Sequence, residues 1–112
     1  MLTLTQETAG DVLVVALSMS SLDATTGETF RGEVEPLLEE EAQVVFDLGQ
    51  VEFVDSAGLA VLLSCLKSLV AVGGDLKLCM LAPKVQDLFE RARIPQIVEI
   101  HPTRADALRS YA

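Results

Sequence analysis

An aspartate and a serine stand side by side at Asp55-Ser56, after Phe53-Val54 and before Ala57-Gly58-Leu59. Asp and Ser are residue types that open helices, because their side-chain oxygens accept hydrogen bonds from the free amides of the first turn. Simple capping is therefore one reading of this pair. The other reading is a phosphoryl acceptor. A phosphate on such a hydroxyl adds about two negative charges and lies against free amides and the positive end of the helix. The fold would tolerate it, while a partner docked on the same loop would lose shape and charge complementarity. One small modification would then switch docking on and off. Local sequence leaves both readings open.

The other reactive residue types form no catalytic set. His101 is the only histidine, and its spacing from Ser56 gives no sign of a nucleophile and base in contact. Cys65 and Cys79 lie within apolar runs, with no C-x-x-C spacing, so they read as small core residues kept reduced. One His and two scattered Cys cannot supply a zinc set, and no glycine-rich phosphate loop is present. Asp23 could pair with Asp47 or Asp55. A phospho-aspartate receiver, however, needs a lysine after the fifth strand, where this chain has His101 and Arg104. The expectation is no enzyme activity, no metal and no cofactor.

Charge narrows the partners. A formal net charge of -9 over 112 residues argues against nucleic acid and against an anionic membrane surface, both of which draw on clustered Lys and Arg. A basic protein surface would suit it, and the acidity also serves plain solubility. Half the residues are apolar, yet there are only four Phe, one Tyr and no Trp, so the core must be built from Leu, Val and Ala. The apolar run from Ala57 to Val72 would span about 24 Å as a helix, short of a bilayer core of roughly 30 Å. Lys67 near its middle would cost about 3 kcal/mol in lipid. The run reads as a core helix, without membrane insertion. Residues 1–7 lack a basic stretch and an apolar stretch, so no signal peptide is expected, and the location expected is cytoplasmic.

The elements that must position Ser56 follow from periodicity. Leu2 and Leu4 alternate with Thr3 and Thr5 as in a half-buried strand, and a turn at Ala9-Gly10-Asp11 leads into an antiparallel strand, Val12–Leu17. After a polar loop from Ser18 to Ala24, Thr25-Thr26-Gly27-Glu28 has the form of a capping box, which starts the first helix near Thr25 or Thr26. Phe30, Val34, Leu37 and Leu38 share one face of that helix. Pro36 removes the bond to the Gly32 carbonyl, which predicts a kink or a break. Glu39-Glu40-Glu41 makes a solvated acidic end. Val44–Leu48 is a continuous apolar run suited to a central strand covered on both faces. The helix opened by Asp55-Ser56 carries a core stripe of Leu59, Leu62, Leu63, Leu66, Leu69 and Val70, and Gly73-Gly74 stops it. Asp75–Leu81 alternates as a strand. Pro83 starts a third helix with Val85, Leu88, Phe89 and Ala92 inward, and Pro95 ends it. Ile97–Ile100 is a last strand and Pro102–Tyr111 a last helix. Strands alternating with helices give an α/β class.

At these residues the chain resembles the STAS domains of the anti-sigma factor antagonist family. The resemblance rests on the run Val44 to Leu63, centred on Asp55-Ser56-Ala57-Gly58-Leu59, on Gly73–Leu78, on Pro83–Phe89, and on Leu22-Asp23 with Thr26. It covers nearly the whole chain, residues 1–112 as one domain. It implies a mixed β-sheet of about five strands with helices packed mainly on one face. It also implies that an anti-sigma factor acting as a serine kinase phosphorylates Ser56, that only the unphosphorylated form binds that kinase and so frees the sigma factor, and that a metal-dependent serine phosphatase resets the switch. Asp23, Asp55, Ser56, Gly58 and Leu59 would line the docking surface of a chain expected to be a monomer. The alternative is a non-switching STAS adaptor in a transporter or signalling assembly, with Ser56 as a cap only.

Overall fold

The computed structural model describes residues 3–39 and 42–112. Leu2, Glu40 and Glu41, which enter the sequence-based reading of the first strand and of the first helix's acidic end, lie outside the described residues. In chain order the elements are β1 (Leu4–Ala9), β2 (Val12–Leu17), β3 (Ser21–Leu22), α1 (Ala24–Leu38), β4 (Gln43–Asp47), β5 (Phe53–Val54) and α2 (Ser56–Ala71). Then come β6 (Asp75–Cys79), α3 (Pro83–Arg91), a 3₁₀ turn (Ile94–Gln96), β7 (Glu99–His101) and α4 (Arg104–Ser110).

β1 and β2 form the expected antiparallel hairpin, with Leu4 opposite Leu17 and Ala9 opposite Val12. β2, β4, β6 and β7 are parallel, so the sheet is mixed, in the order β1-β2-β4-β6-β7. β4 lies at its centre, which is why its sequence is apolar without alternation: Val44 and Phe46 face one cluster and Val45 the other. On the larger face α1, α2 and α3 lay down Phe30, Val34, Leu38, Leu62, Cys65, Leu69, Val85 and Phe89. Phe30 meets Phe46 edge to face at 5.5 Å between ring centroids. A fully buried side chain of this size contributes about 1.5–3 kcal/mol. On the smaller face α4 covers Val12, Val14, Val45 and Cys79 with Ala107, Leu108 and Tyr111. The helices thus pack mainly on one face, as the family resemblance implies.

α4 is clasped by a buried lysine. Lys77 Nζ donates to Ser110 Oγ at 2.7 Å and to the Ser110 carbonyl at 3.2 Å, and it lies 4.2 Å from the Tyr111 ring centroid. The Tyr111 hydroxyl shares its proton between the carbonyls of Val44 and Asp75, each at 2.9 Å. This arrangement satisfies a cation that would otherwise be costly to bury.

Several local expectations are corrected. α1 starts at Ala24 with Asp23 as its cap, and the reciprocal bonds join Asp23 to Thr26, so Thr25–Glu28 is not the capping box. Asp23 wins because it directly follows β3 in extended backbone and can turn its carboxylate back onto two amides. Pro36 does not break α1, which runs on to Leu38. It sits in the final turn, and both it and Gly32 are exposed, so the lost bond lies on the solvent side. Val70 is 60% exposed, and Cys65 takes its place in the stripe because it lies three residues from Leu62 and four from Leu69. Leu88 and Ala92 also turn outward. The third helix stops at Arg91, ahead of Pro95, through a left-handed Arg93. Ile97 is exposed and precedes the last strand, which begins at Glu99. The strand from Asp75 ends at Cys79, because Met80 takes a positive φ of 63°.

Candidate functional site

The short strands β3 and β5, which periodicity does not announce, pair in parallel beside the main sheet, Ser21 with Phe53 and Leu22 with Val54. Each is followed at once by an aspartate that caps a helix. Asp23 caps α1 and Asp55 caps α2, so two helix entrances sit next to each other. The tie between them is a backbone bond, Asp55 N–H to the Leu22 carbonyl at 3.2 Å. The signal in the sequence is the repeated aliphatic-aspartate pair, Leu22-Asp23 and Val54-Asp55.

At the first entrance, Asp23 Oδ1 accepts from the Thr25 and Thr26 amides at 3.0 Å each, and Oδ2 accepts from Ser21 Oγ at 3.0 Å. Thr26 Oγ1 accepts from the Asp23 amide and donates to the Ser21 carbonyl at 2.7 Å. The Thr26 amide first, then the Ser21 hydroxyl, hold the Asp23 carboxyl below the usual aspartate range. At the second entrance Asp55 Oδ1 accepts one bond, from the Gly58 amide at 2.8 Å. Ser56 is the first residue of α2, is exposed, and its hydroxyl has no hydrogen-bond partner among the described residues. The two leading amides of a helix have no intrahelical acceptor, so an anion on Ser56 would meet donors.

Gly58 is where this packing is tightest. A Cβ there would lie 2.0 Å from the Leu22 carbonyl oxygen, so only glycine lets α2 come this close to β3. Of the other residues expected at the site, Asp23 and Asp55 are half-buried, Gly58 is buried, and Leu59 is half-buried against the core.

The remaining sequence candidates lie apart. Asp47 Oδ2 is held by Arg104 Nε and Nη2 at 3.1 and 2.7 Å, its Oδ1 accepts from the Gly49 amide at 2.8 Å, and Arg104 also reaches Glu7. Asp47 therefore pairs with neither Asp23 nor Asp55. His101 Nε2 lies 3.0 Å from Glu99 Oε1 at the sheet edge. Both thiols are free and buried, and burial pushes each up to about 12, so neither ionises near neutrality. An open hollow of about 840 Å³ adjoins Gly73-Gly74 at the far end of α2, with Lys77 and Tyr111 on its wall, and none of Asp47, Asp55 or His101 lines it. Among the described residues no group of three or more His, Cys, Asp and Glu is placed to hold a metal ion, and no helix is long and apolar enough to cross a membrane.

This architecture, a mixed five-stranded sheet with paired helix entrances at one rim, is that of a known family. The STAS domain profile matches residues 3–107, and the chain belongs to the STAS domain family. It is 30% identical over 102 residues to BtrV of Bordetella bronchiseptica, which bears the name anti-sigma factor antagonist, covering 90% of this chain and 88% of that one. It is 29% identical over 99 residues to the anti-sigma F factor antagonist of Paenibacillus polymyxa, covering 87% and 84%. In fold it matches a STAS domain protein from Planctomyces limnophilus with a TM-score of 0.89, at 20% identity, over 100% of this chain and 99% of that one.

Proposed function

We propose that this chain is a phospho-switchable anti-sigma factor antagonist acting in the cytoplasm. Unphosphorylated, it docks on an anti-sigma factor that is also a serine kinase, and so frees the sigma factor for transcription. Asp23 and Asp55 present the docking rim, while Gly58 and Leu59 set how closely α2 approaches it. The kinase then forms a bond between Ser56 Oγ and the γ-phosphorus of ATP. The bond from that phosphorus to the β,γ-bridging oxygen breaks, ADP leaves, and the hydroxyl proton passes to a base on the kinase. Magnesium and all catalytic groups belong to the kinase. A serine phosphatase hydrolyses the phosphoserine and restores the docking form.

The single observation that carries this reading is exposed Ser56 at a helix entrance, its hydroxyl without a partner among the described residues. A phosphate there is accommodated by the free amides and the positive helix end, so the fold persists. The partner loses complementarity, because two further negative charges are added beside Asp23 and Asp55. The names of the relatives from Bordetella and Paenibacillus support the same reading.

The test is incubation with ATP, Mg²⁺ and the purified histidine-kinase-like ATPase encoded nearest to this chain's gene, read by mass spectrometry. One phosphate is expected on Ser56 and none on Ser56→Ala. No phosphate, or one on another residue, would leave Ser56 an unmodified surface serine beside the Asp55 cap and the chain a non-switching adaptor.

A further inference from the structure

Met80 is an apolar side chain in the wrong place twice over. Its backbone lies in the left-handed region at φ 63°, which glycine and asparagine enter readily and a methionine does not. The other such residue that is not glycine among those described, Arg93, follows the end of α3, where a left-handed residue is the usual stop. Met80 ends no helix. Its side chain is also 42% exposed. Two departures at one residue call for a gain made elsewhere.

Its surroundings say where. The Leu48 amide donates to the Cys79 carbonyl at 3.0 Å, and a Cβ on Gly49 would stand 3.6 Å from Met80 Cβ. Met80 therefore sits against the loop from Leu48 to Glu52 that feeds β5. Phe53, the first residue of β5, is 56% exposed, and Ser56 follows three residues later. The carboxylates of Asp23, Glu52 and Asp55 belong to the same rim. The Glu52 and Asp55 amides bond the Ser20 and Leu22 carbonyls beside Asp23, while Arg104 is engaged by Asp47 and Glu7.

We propose that Met80 and Phe53 are the apolar anchors of the surface around Ser56, and that the partner meets them with an apolar pocket edged by basic side chains. This rests on the reading of Ser56 given above and identifies what holds the docked state together. Buried apolar anchors within a charged rim are the usual source of affinity at such interfaces, and methionine adapts its shape to a pocket at little cost. The strained backbone is kept because it turns the side chain outward.

The two roles predict opposite signs in one variant. Wild type, Met80→Asn, Met80→Leu and Ser56→Asp are compared by thermal unfolding and by calorimetric titration with the purified histidine-kinase-like ATPase encoded nearest to this chain's gene. Met80→Asn relieves the backbone and should unfold about 4 °C higher. It should also bind about tenfold more weakly. Met80→Leu should keep its affinity within about threefold and gain no Tm. Met80→Asn that binds like wild type, or that unfolds at a lower temperature, overturns the anchor role while leaving the Ser56 switch standing. Should Ser56→Asp bind as tightly as wild type, or wild type not bind at all, the switch itself falls and the anchors with it.

Discussion

The two helix entrances are built from the same parts and finished differently. Both follow a two-residue strand, and both are capped by aspartate. At α1 the Asp23 carboxylate accepts three bonds and Thr26 closes the loop back onto it. At α2 the Asp55 carboxylate accepts one, and the adjoining Ser56 is exposed, its hydroxyl without a partner among the described residues. The first entrance is closed by its own side chains. The second holds its helix in place with one side-chain bond and one glycine, and leaves the Ser56 hydroxyl without a bond among the described residues. A rigid neighbour beside an open acceptor is a sound arrangement for a switch, because adding a phosphate need not rebuild the loop that presents it.

Variants that join or separate the two entrances sharpen this contrast. Gly58→Ala should have the largest effect, about 3 kcal/mol lost in urea unfolding, because its methyl group runs into the Leu22 carbonyl and pushes α2 away from β3. Wild-type stability in that variant would mean the entrances are not coupled through this contact. Among the caps, Asp55→Ala should cost about 1 kcal/mol, and Asp23→Ala should lower Tm further, since more bonds end on it. Equal losses would erase the distinction drawn here.

The Asp23 deficit should also depend on acidity. Its folded-state pKa lies below the ordinary 3.8, so its contribution is complete above that value and is lost as pH falls through the lower, folded one. The Tm gap between wild type and Asp23→Ala should therefore narrow on acidification below about pH 4. The smallest effect belongs to Ser56→Asp, which should stay within about 0.5 kcal/mol of wild type, with an unchanged far-ultraviolet dichroism spectrum. A large loss of stability would show the second entrance to be as closed as the first.

Much of this molecule is legible from residue types alone. The hairpin of β1 and β2, the central strand at Val44–Leu48, the helix opening at Asp55-Ser56 and its stop at Gly73-Gly74 each follow from periodicity and local capping chemistry. Gly73 takes φ +80° and hands its amide to Val70, as a helix stop requires. That a serine stands at this helix opening was legible for the same reason, whereas which of Asp55 and Ser56 caps the helix was decided by the structure. Apart from the cap of α1 and the stop of α3, which are local, the misplacements concern residues whose fate depends on a neighbour far along the chain. Val70 and Leu88 are apolar but face no opposing element, and Pro36 is tolerated because the bond it removes lies on the solvent side.

What residue order determined by itself is local: the main strands and helices, the opening of α2 and its glycine stop, and that a serine stands at that opening. Those outcomes depend on hydrogen bonds and side-chain spacing within a few residues. Only the tertiary structure decided that Leu22-Asp23 and Val54-Asp55 lie side by side, that Gly58 is pressed against a backbone carbonyl, and that Met80 stands on the same rim. Each of those needs two segments about 30 residues apart to pair. A pairing of two residues on each side leaves no periodic trace in the sequence.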